Sequence, residues 1–443
     1  MPDDPAAGRR RSYHTALLVV AVAAAGLNLR TAIAGLPPLF PDLAARLHLS
    51  SAVLSLLAAA PVICFGVASA FAAWLSRRFG EERTLFAALG VLCAGLLLRG
   101  LWPGALLFPG TILAGSAIGI LNVLLSSLVK RRWPERAGLL LGIYLTGLSV
   151  GAILASLLSV PLYQASGDSV RISLGVWAGP AALAMLLWLP QLRYRALGRG
   201  GPAAPPAPAG PGRSAAIPAP DGAAAPAAHI KVHRYALSWQ VMGFMGLQSL
   251  LFYAALSWLP TIFQDRGTSA VAAGNLLALM AAGNLAAAFF VPALAQRTPD
   301  QRMLVVPSMA LTGVGLVGCL WAPPGQAALW TFLLGVSQGA CLALAIFFTI
   351  ARAPDPGAAA SLSGFAQSGG YLVASAGPLE VGLLHAVTGS WDIPVLLLLV
   401  LVVAGIAVGI LAARPLVLPP SGGYGGAGSP PVLRGLRGVA PPG

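Results

Sequence analysis

Long apolar runs broken by short polar stretches recur along the chain. They fall near residues 14–38, 51–75, 84–101, 105–129, 137–163, 171–191, 236–262, 270–295, 302–321, 326–350, 359–386 and 391–413. About 20 apolar residues in a helix cross the hydrocarbon core of a bilayer, so the pattern predicts twelve membrane-spanning helices. Helices are the expected element because backbone in lipid must satisfy its own hydrogen bonds. The alternation that marks an outer-membrane strand is absent.

Composition agrees. Only 9% of the 443 residues are charged, against about 25% in a soluble domain. The net charge of +14 could suggest nucleic acid, but the basic residues sit in short clusters between apolar runs, without a continuous basic face. Of 27 basic residues, only Arg30, Arg46, Arg99, Arg171 and Arg266 lie within runs or on the opposite side. The others gather on one side, which predicts both termini in the cytoplasm of an inner-membrane protein. Arg99 and Arg171, near span ends, are expected to snorkel outward. The N-terminus resembles a signal peptide, but its apolar run is too long and reads as an uncleaved first span. Cys64, Cys93, Cys319 and Cys341 lie in apolar runs and read as small buried hydrophobes.

Residues from about Arg199 to His229 are rich in Pro, Ala and Gly, which cannot bury a core and read as a linker. The expected organisation is a tail (1–13), a six-helix bundle (14–192), a cytoplasmic linker (193–235), a second six-helix bundle (236–414) and a disordered cytoplasmic tail (415–443). The halves resemble each other. Leu36-Pro37-Pro38-Leu39-Phe40 answers to Leu259-Pro260-Thr261-Ile262-Phe263, and Gly142 and Gly147 answer to Gly364 and Gly369, at an offset near 220. Parallel six-span repeats are a transporter architecture, with the solute held near the midplane between them.

Arg30 is the residue that most needs explaining. An arginine at the centre of a span costs roughly 2.5–3.5 kcal/mol on insertion scales. It is tolerable beside a water-filled cavity, a carboxylate or a bound anion. Only Glu380 clearly lies within a span as a possible partner. The alternatives are a structural arginine and a fork of donors for a planar anion. Pairing Leu36-Pro37 with Leu259-Pro260 sets an offset of 223, which matches Arg30 to Tyr253 across the cavity. Gln248 lies five residues before Tyr253, so both face one cavity only if span 7 is broken.

Several stretches carry a family likeness: Asn28-Leu29-Arg30 in span 1, Asn122-Val123-Leu124-Leu125 in span 4, Gly246-Leu247-Gln248-Ser249-Leu250 through Trp258-Leu259-Pro260 in span 7, and Gly382-Leu383-Leu384-His385 with Thr388-Gly389-Ser390-Trp391. With these the chain resembles the major facilitator superfamily, and within it the cyanate and 2-nitroimidazole transporter branch. The resemblance implies an all-α membrane fold of two pseudo-symmetric six-helix bundles and secondary transport of a small solute. It makes Asn122 a cavity candidate beside Arg30, Tyr253, Gln248 and Asn28. The chain departs from the pattern in three places. The loop between spans 2 and 3 lacks its usual acid, offering Ala73, Arg77, Arg78 and Gly80. Thr31 and Ser126 stand where the branch has proline, and Glu380 where an apolar residue is expected.

Glu380 is either a coupling group or counter-charge to Arg30, or a carboxylate reaching the outer interface. The glycines Gly142, Gly147 and Gly151 of span 5 suit close helix packing. No Walker-type loop, H-E-x-x-H or Cys/His cluster occurs in the sequence, so no enzyme, cofactor or metal is expected. The expected function is alternating-access transport of a small anionic or planar polar solute, driven by an ion or solute gradient. The expected surroundings are the lipid bilayer, with no nucleic acid and no obligate protein partner. Alternatives are a broad drug efflux transporter of the same fold and a non-transporting membrane sensor or scaffold.

Overall fold

The computed structural model describes residues 5–132, 137–198 and 231–419, without the side chains of 5–16, 130–132, 137–139, 141 and 193–198. Fifteen helices form the described chain: α1 (Pro5–Ala34), α2 (Phe40–Leu47), α3 (Ser51–Phe79), α4 (Glu81–Leu101), α5 (Pro103–Arg132), α6 (Ala137–Ala165), α7 (Val170–Gly175), α8 (Ala178–Gly198), α9 (Ala236–Asp265), α10 (Ala270–Arg297), α11 (Arg302–Trp321), α12 (Ala327–Ala351), α13 (Pro356–Ala374), α14 (Ala376–Thr388) and α15 (Asp392–Ala412). Twelve stretches are long and apolar enough to cross a membrane, and each overlies a run read from the sequence. No strand occurs among the described residues. This is a multi-pass, all-helical membrane protein.

The linker expected at 193–235 and the tail expected at 415–443 lie largely outside the described residues, as do residues 1–4. Where described, α8 continues through Gly198, a short turn covers Val232–Arg234, and α1 begins at Pro5.

Helix contacts repeat between the halves. In the first, α1 packs on α6 and α8, while α5 packs on α3 and α4. In the second, α9 packs on α13 and α15, while α12 packs on α10 and α11. These are the same span pairs shifted by six. Small residues set the distances. A Cβ on Gly147 would lie 2.8 Å from the Ala23 carbonyl oxygen, and one on Gly151 would lie 2.0 Å from that of Leu27. Gly142, the third glycine of that span, meets nothing within 4 Å.

Two spans break beside a proline, while others carry theirs within a continuous helix, as α9 does Pro260. Pro378 has no N–H to return to Ala374, and span 11 turns at Ser375 between α13 and α14. Pro180 likewise follows the break between α7 and α8. A side chain from the first span of each half grips each proline carbonyl: Asn28 Nδ2 donates to Pro180 O at 3.0 Å, and Trp258 Nε1 to Pro378 O at 2.8 Å. Span 7, in contrast, is unbroken from Ala236 to Asp265. At the positions where the resemblance leads one to expect proline, Thr31 and Ser126 turn their hydroxyls back onto helix carbonyls, and both helices continue.

The halves meet along α3 with α13 and α14, and along α6 with α10. Both described chain ends lie on one face, here the basic face, with Arg77, Arg78, Arg83, Arg297, Arg302 and Arg352. The opposite face is sealed. Phe40 packs on Trp258 with the rings tilted and their centroids 5.6 Å apart, and Gln264 Nε2 donates to Pro38 O at 3.1 Å. Leu36, Leu39, Phe40, Trp258, Leu259 and Phe263 are all buried there.

Arg99 departs from its expected snorkelling. It is 2% exposed, and its Nη1 donates to Ala32 O at 2.9 Å. The carbonyl end of α1 offers an acceptor closer than the interface. Arg171 is exposed, as a snorkelling residue would be.

Candidate functional site

Ala23, Leu27 and Arg30 form one stripe of α1, spaced by four and three residues. The stripe lies against α6 at Gly147 and Gly151, and it carries Arg30 past that crossing into the gap between the halves. There the guanidinium meets aromatic faces of the other half. Its Cζ lies 4.8 Å from the Phe252 ring centroid and 5.9 Å from that of Tyr253. Among the described residues none offers it a hydrogen bond or an ion pair.

The contrast with two arginines at span ends is informative. Arg266 donates to Cys319 O and Ala322 O at 2.6 and 2.7 Å, closing the end of α11. Arg352 donates to Ala412 O, Ala413 O and Gln301 Oε1. These charges are satisfied by helix-end carbonyls. Arg30 has only rings. A desolvated cation–π contact is worth about 2 kcal/mol, comparable to the roughly 2.5–3.5 kcal/mol cost of the buried charge. It leaves the N–H donors of the fork unused.

More aromatics complete the chamber. Tyr371 of α13 and Phe65 of α3 pack at 6.0 Å, and each lies edge-on to Tyr253, at 6.4 and 6.3 Å. Tyr144 of α6 donates its hydroxyl to Asn122 Oδ1 on α5, which leaves the Asn122 amide nitrogen as a donor. Arg30, Asn122, Phe252 and Tyr371 are half-buried, while Tyr144 and Tyr253 are buried. The site is rich in donors, ringed by π faces and free of carboxylates among its named members.

Of the residues singled out in the sequence, the structure brings Arg30 and Tyr253 together; Asn122 is bonded to Tyr144, which packs on α1 at Gly26, one turn before Arg30. Gln248 is elsewhere. On unbroken α9 it is buried, and its Nε2 bonds to Met245 O, Met245 Sδ and Ser249 Oγ. Asn28 faces the interior of its own half, bonded to Ala24 O and Pro180 O. Glu380 is exposed on α14 and makes no ion pair with Arg30. His385, near it in sequence, stacks flat on Trp391 at 3.7 Å. No metal-ligand cluster occurs among the described residues.

Tyr144, Tyr371, Phe65 and Phe252 were not singled out. A signal for the tyrosines existed. Of eight tyrosines, Tyr144, Tyr253 and Tyr371 are the ones deep within spans; Tyr253 lies beside Arg30, and Tyr371 packs on Tyr253.

The model of the Major Facilitator Superfamily matches residues 16–378. The chain belongs to the major facilitator superfamily. It is 35% identical over 392 residues to the uncharacterized transporter YycB of Bacillus subtilis, covering 88% of this chain and 92% of the relative. It is 33% identical to the 2-nitroimidazole transporter of Escherichia coli, covering 90% and 95%. It is 28% identical to the cyanate transport protein CynX of the same organism, covering 83% and 89%. Among solved structures, a bacterial homolog of the human lysosomal transporter Spinster, inward-facing and unoccupied, superposes with a TM-score of 0.68 at 17% identity, covering 92% of this chain and 97% of that one. That likeness supports the fold alone. The relatives are named as transporters, not as enzymes, and this chain is an MFS transporter.

Proposed function

We propose that this transporter carries a small anionic or planar polar solute, cyanate-like or nitroimidazole-like, bound between the halves at Arg30. One observation carries the reading: a guanidinium in the inter-half gap, packed on Phe252 and Tyr253, with no acceptor among the described residues. A solute oxygen or nitrogen would take the free donors, and a planar body would lie along the rings of Phe65, Phe252 and Tyr371. Tyr253 and Asn122 would add hydrogen bonds. The names of the nitroimidazole and cyanate relatives support the same class. Asn28 and Gln248 act, in this reading, by fixing their helices rather than touching solute.

The clustered basic residues orient the basic face and both termini to the cytoplasm of an inner membrane, with 193–235 as the connecting loop between bundles. The sealed opposite face supports solute access from the cytoplasmic side in the conformation described. Rocking of the halves along α3–α13–α14 and α6–α10 would expose the site alternately, driven by an ion or solute gradient. Glu380, exposed and away from Arg30, is a weaker candidate for coupling than its span position suggests.

The test is flux of labelled cyanate and of 2-nitroimidazole into liposomes containing the purified protein. Arg30→Ala should reduce flux about 100-fold or more. Arg30→Lys should recover only part of it, because an ammonium lacks the planar fork. Unchanged flux in Arg30→Ala, with normal thermal stability, would remove the reading.

A further inference from the structure

We infer that Arg99 is a positioning residue for Arg30, acting through the end of α1. The inference rests on the reading that Arg30 binds solute. The last turn of α1 is short of donors. Gly35 N–H serves Thr31 O, and Leu36 N–H, which would serve Ala32 O in a continued helix, goes to Ile33 O instead. Pro37 and Pro38 have no N–H to give. Ala32 O is therefore left to Arg99 Nη1, at 2.9 Å. The charge sits at the negative end of the helix, where a cation is stabilised. No carboxylate pairs with it among the described residues.

Arg99 is also a fixed point. A Cβ on Gly110 of α5 would lie 2.9 Å from the Arg99 backbone nitrogen, and one on Gly100 would lie 2.5 Å from Gly175 Cα of α7. Close packing on two sides thus holds the backbone from which Arg99 reaches α1. Ala32 is two residues beyond Arg30, so the carbonyl that Arg99 grips belongs to the same final stretch of helix that aims the Arg30 guanidinium. Arg266 closes the end of α11 in the same chemical way, at Cys319 O and Ala322 O, but α11 carries no member of the site. The two arginines differ in what lies next to the helix end they hold.

That difference supplies the experiment. Full-length Arg99→Met, Arg99→Lys and Arg266→Met are compared with the wild type in nanodiscs by amide hydrogen exchange and thermal melting, and in liposomes by 2-nitroimidazole and cyanate flux. Both methionine variants should melt at lower temperature. Only Arg99→Met should speed exchange over residues 30–36, and only it should raise KM, by about tenfold, the scale of one lost charge-assisted hydrogen bond. Arg99→Lys should recover most of both. In an Arg30→Ala background the KM effect should vanish, as for residues acting through one another. Unchanged exchange over 30–36 in Arg99→Met, or an equal KM rise in Arg266→Met, would overturn the inference. If Arg30→Ala leaves flux intact, the solute site is misplaced, while the exchange comparison still decides whether Arg99 holds the end of α1.

Discussion

An arginine held by rings keeps its donors free, whereas one held by carbonyls does not. Arg30 is of the first kind, and Arg266 and Arg352 are of the second; Arg99 lies between them, its Nη1 given to Ala32 O and its Nε unpartnered among the described residues. The neighbours of Arg30 can be ranked on the same basis. The Tyr371 hydroxyl has no hydrogen-bonded partner among the described residues, and its ring packs on Phe65 and Tyr253. Tyr371→Phe keeps that packing and removes the hydroxyl. It should raise KM about three- to tenfold, the scale of one neutral hydrogen bond, with little change in melting temperature. Tyr144→Phe should act differently. It strands the buried side of Asn122, so both stability and KM should suffer. Flux kinetics alongside thermal melting separate the two variants. Arg30 was visible in the sequence because a charge in an apolar run is costly wherever it points. Tyr144 and Tyr371 were not, because a tyrosine within such a run reads as one more apolar residue. The offset of 223 led to Tyr253, and the two groups lie 5.9 Å apart. Gln248 and Asn28 illustrate the limit: sequence places an amide on a helix, but only the packing decides whether it faces the gap or its own bundle.

Helices in this protein meet through glycines of two kinds. Gly151 lies inside a half, its missing Cβ 2.0 Å from Leu27 O. Gly382 lies between the halves, its missing Cβ 2.0 Å from Ser55 Oγ and 2.2 Å from the Trp258 ring. A bulky substitution at either site overpacks, at about 1–3 kcal/mol, but the strain falls on different equilibria. Gly151→Leu should lower yield and melting temperature, because α1 and α6 must touch in every conformation. Gly382→Leu should lose turnover beyond what its lower melting temperature explains, because it presses on Ser55 of the other half as well as on Trp258 of its own. Accessibility of single engineered cysteines on that face, read by maleimide labelling, should rise in Gly382→Leu alone. The helices themselves were legible from apolar run length. The turn at Ser375 was not, although Pro378 marks it, because a proline in a span is as often accommodated as broken. Arg99 was misread for a related reason. Its place near a span end was plain, but the donor-poor end of α1 beside it exists only once the bundle is packed.

For the whole molecule, the arrangement of contacts makes the two faces unequal. The face opposite the basic one is closed by several rings and a hydrogen bond, whereas near the site and toward the basic face α3 and α13 touch through Gly66 with Leu372 and through the Ser69 and Ser368 hydroxyls, 3.4 Å apart. In a background lacking Cys64, Cys93, Cys319 and Cys341, Ser69→Cys with Ser368→Cys should form a disulfide under mild oxidation. The bond should stop flux, and reduction should restore it, because α3 and α13 then cannot separate. Sustained flux in the oxidised protein would mean that this contact is kept throughout the cycle. The twofold plan was readable from a repeat offset and a Pro/Ala/Gly-rich stretch, since both survive as one-dimensional patterns. The asymmetry of the faces was not, since it belongs to one conformation of the sequence. It also has an optical consequence. Trp258, pressed between Phe40 of one half and Trp391 of its own, must lose one of those neighbours whenever the sealed face parts. With the remaining tryptophans replaced by phenylalanine, its emission should shift to longer wavelength as transport proceeds, so this indole can time the cycle without any attached dye.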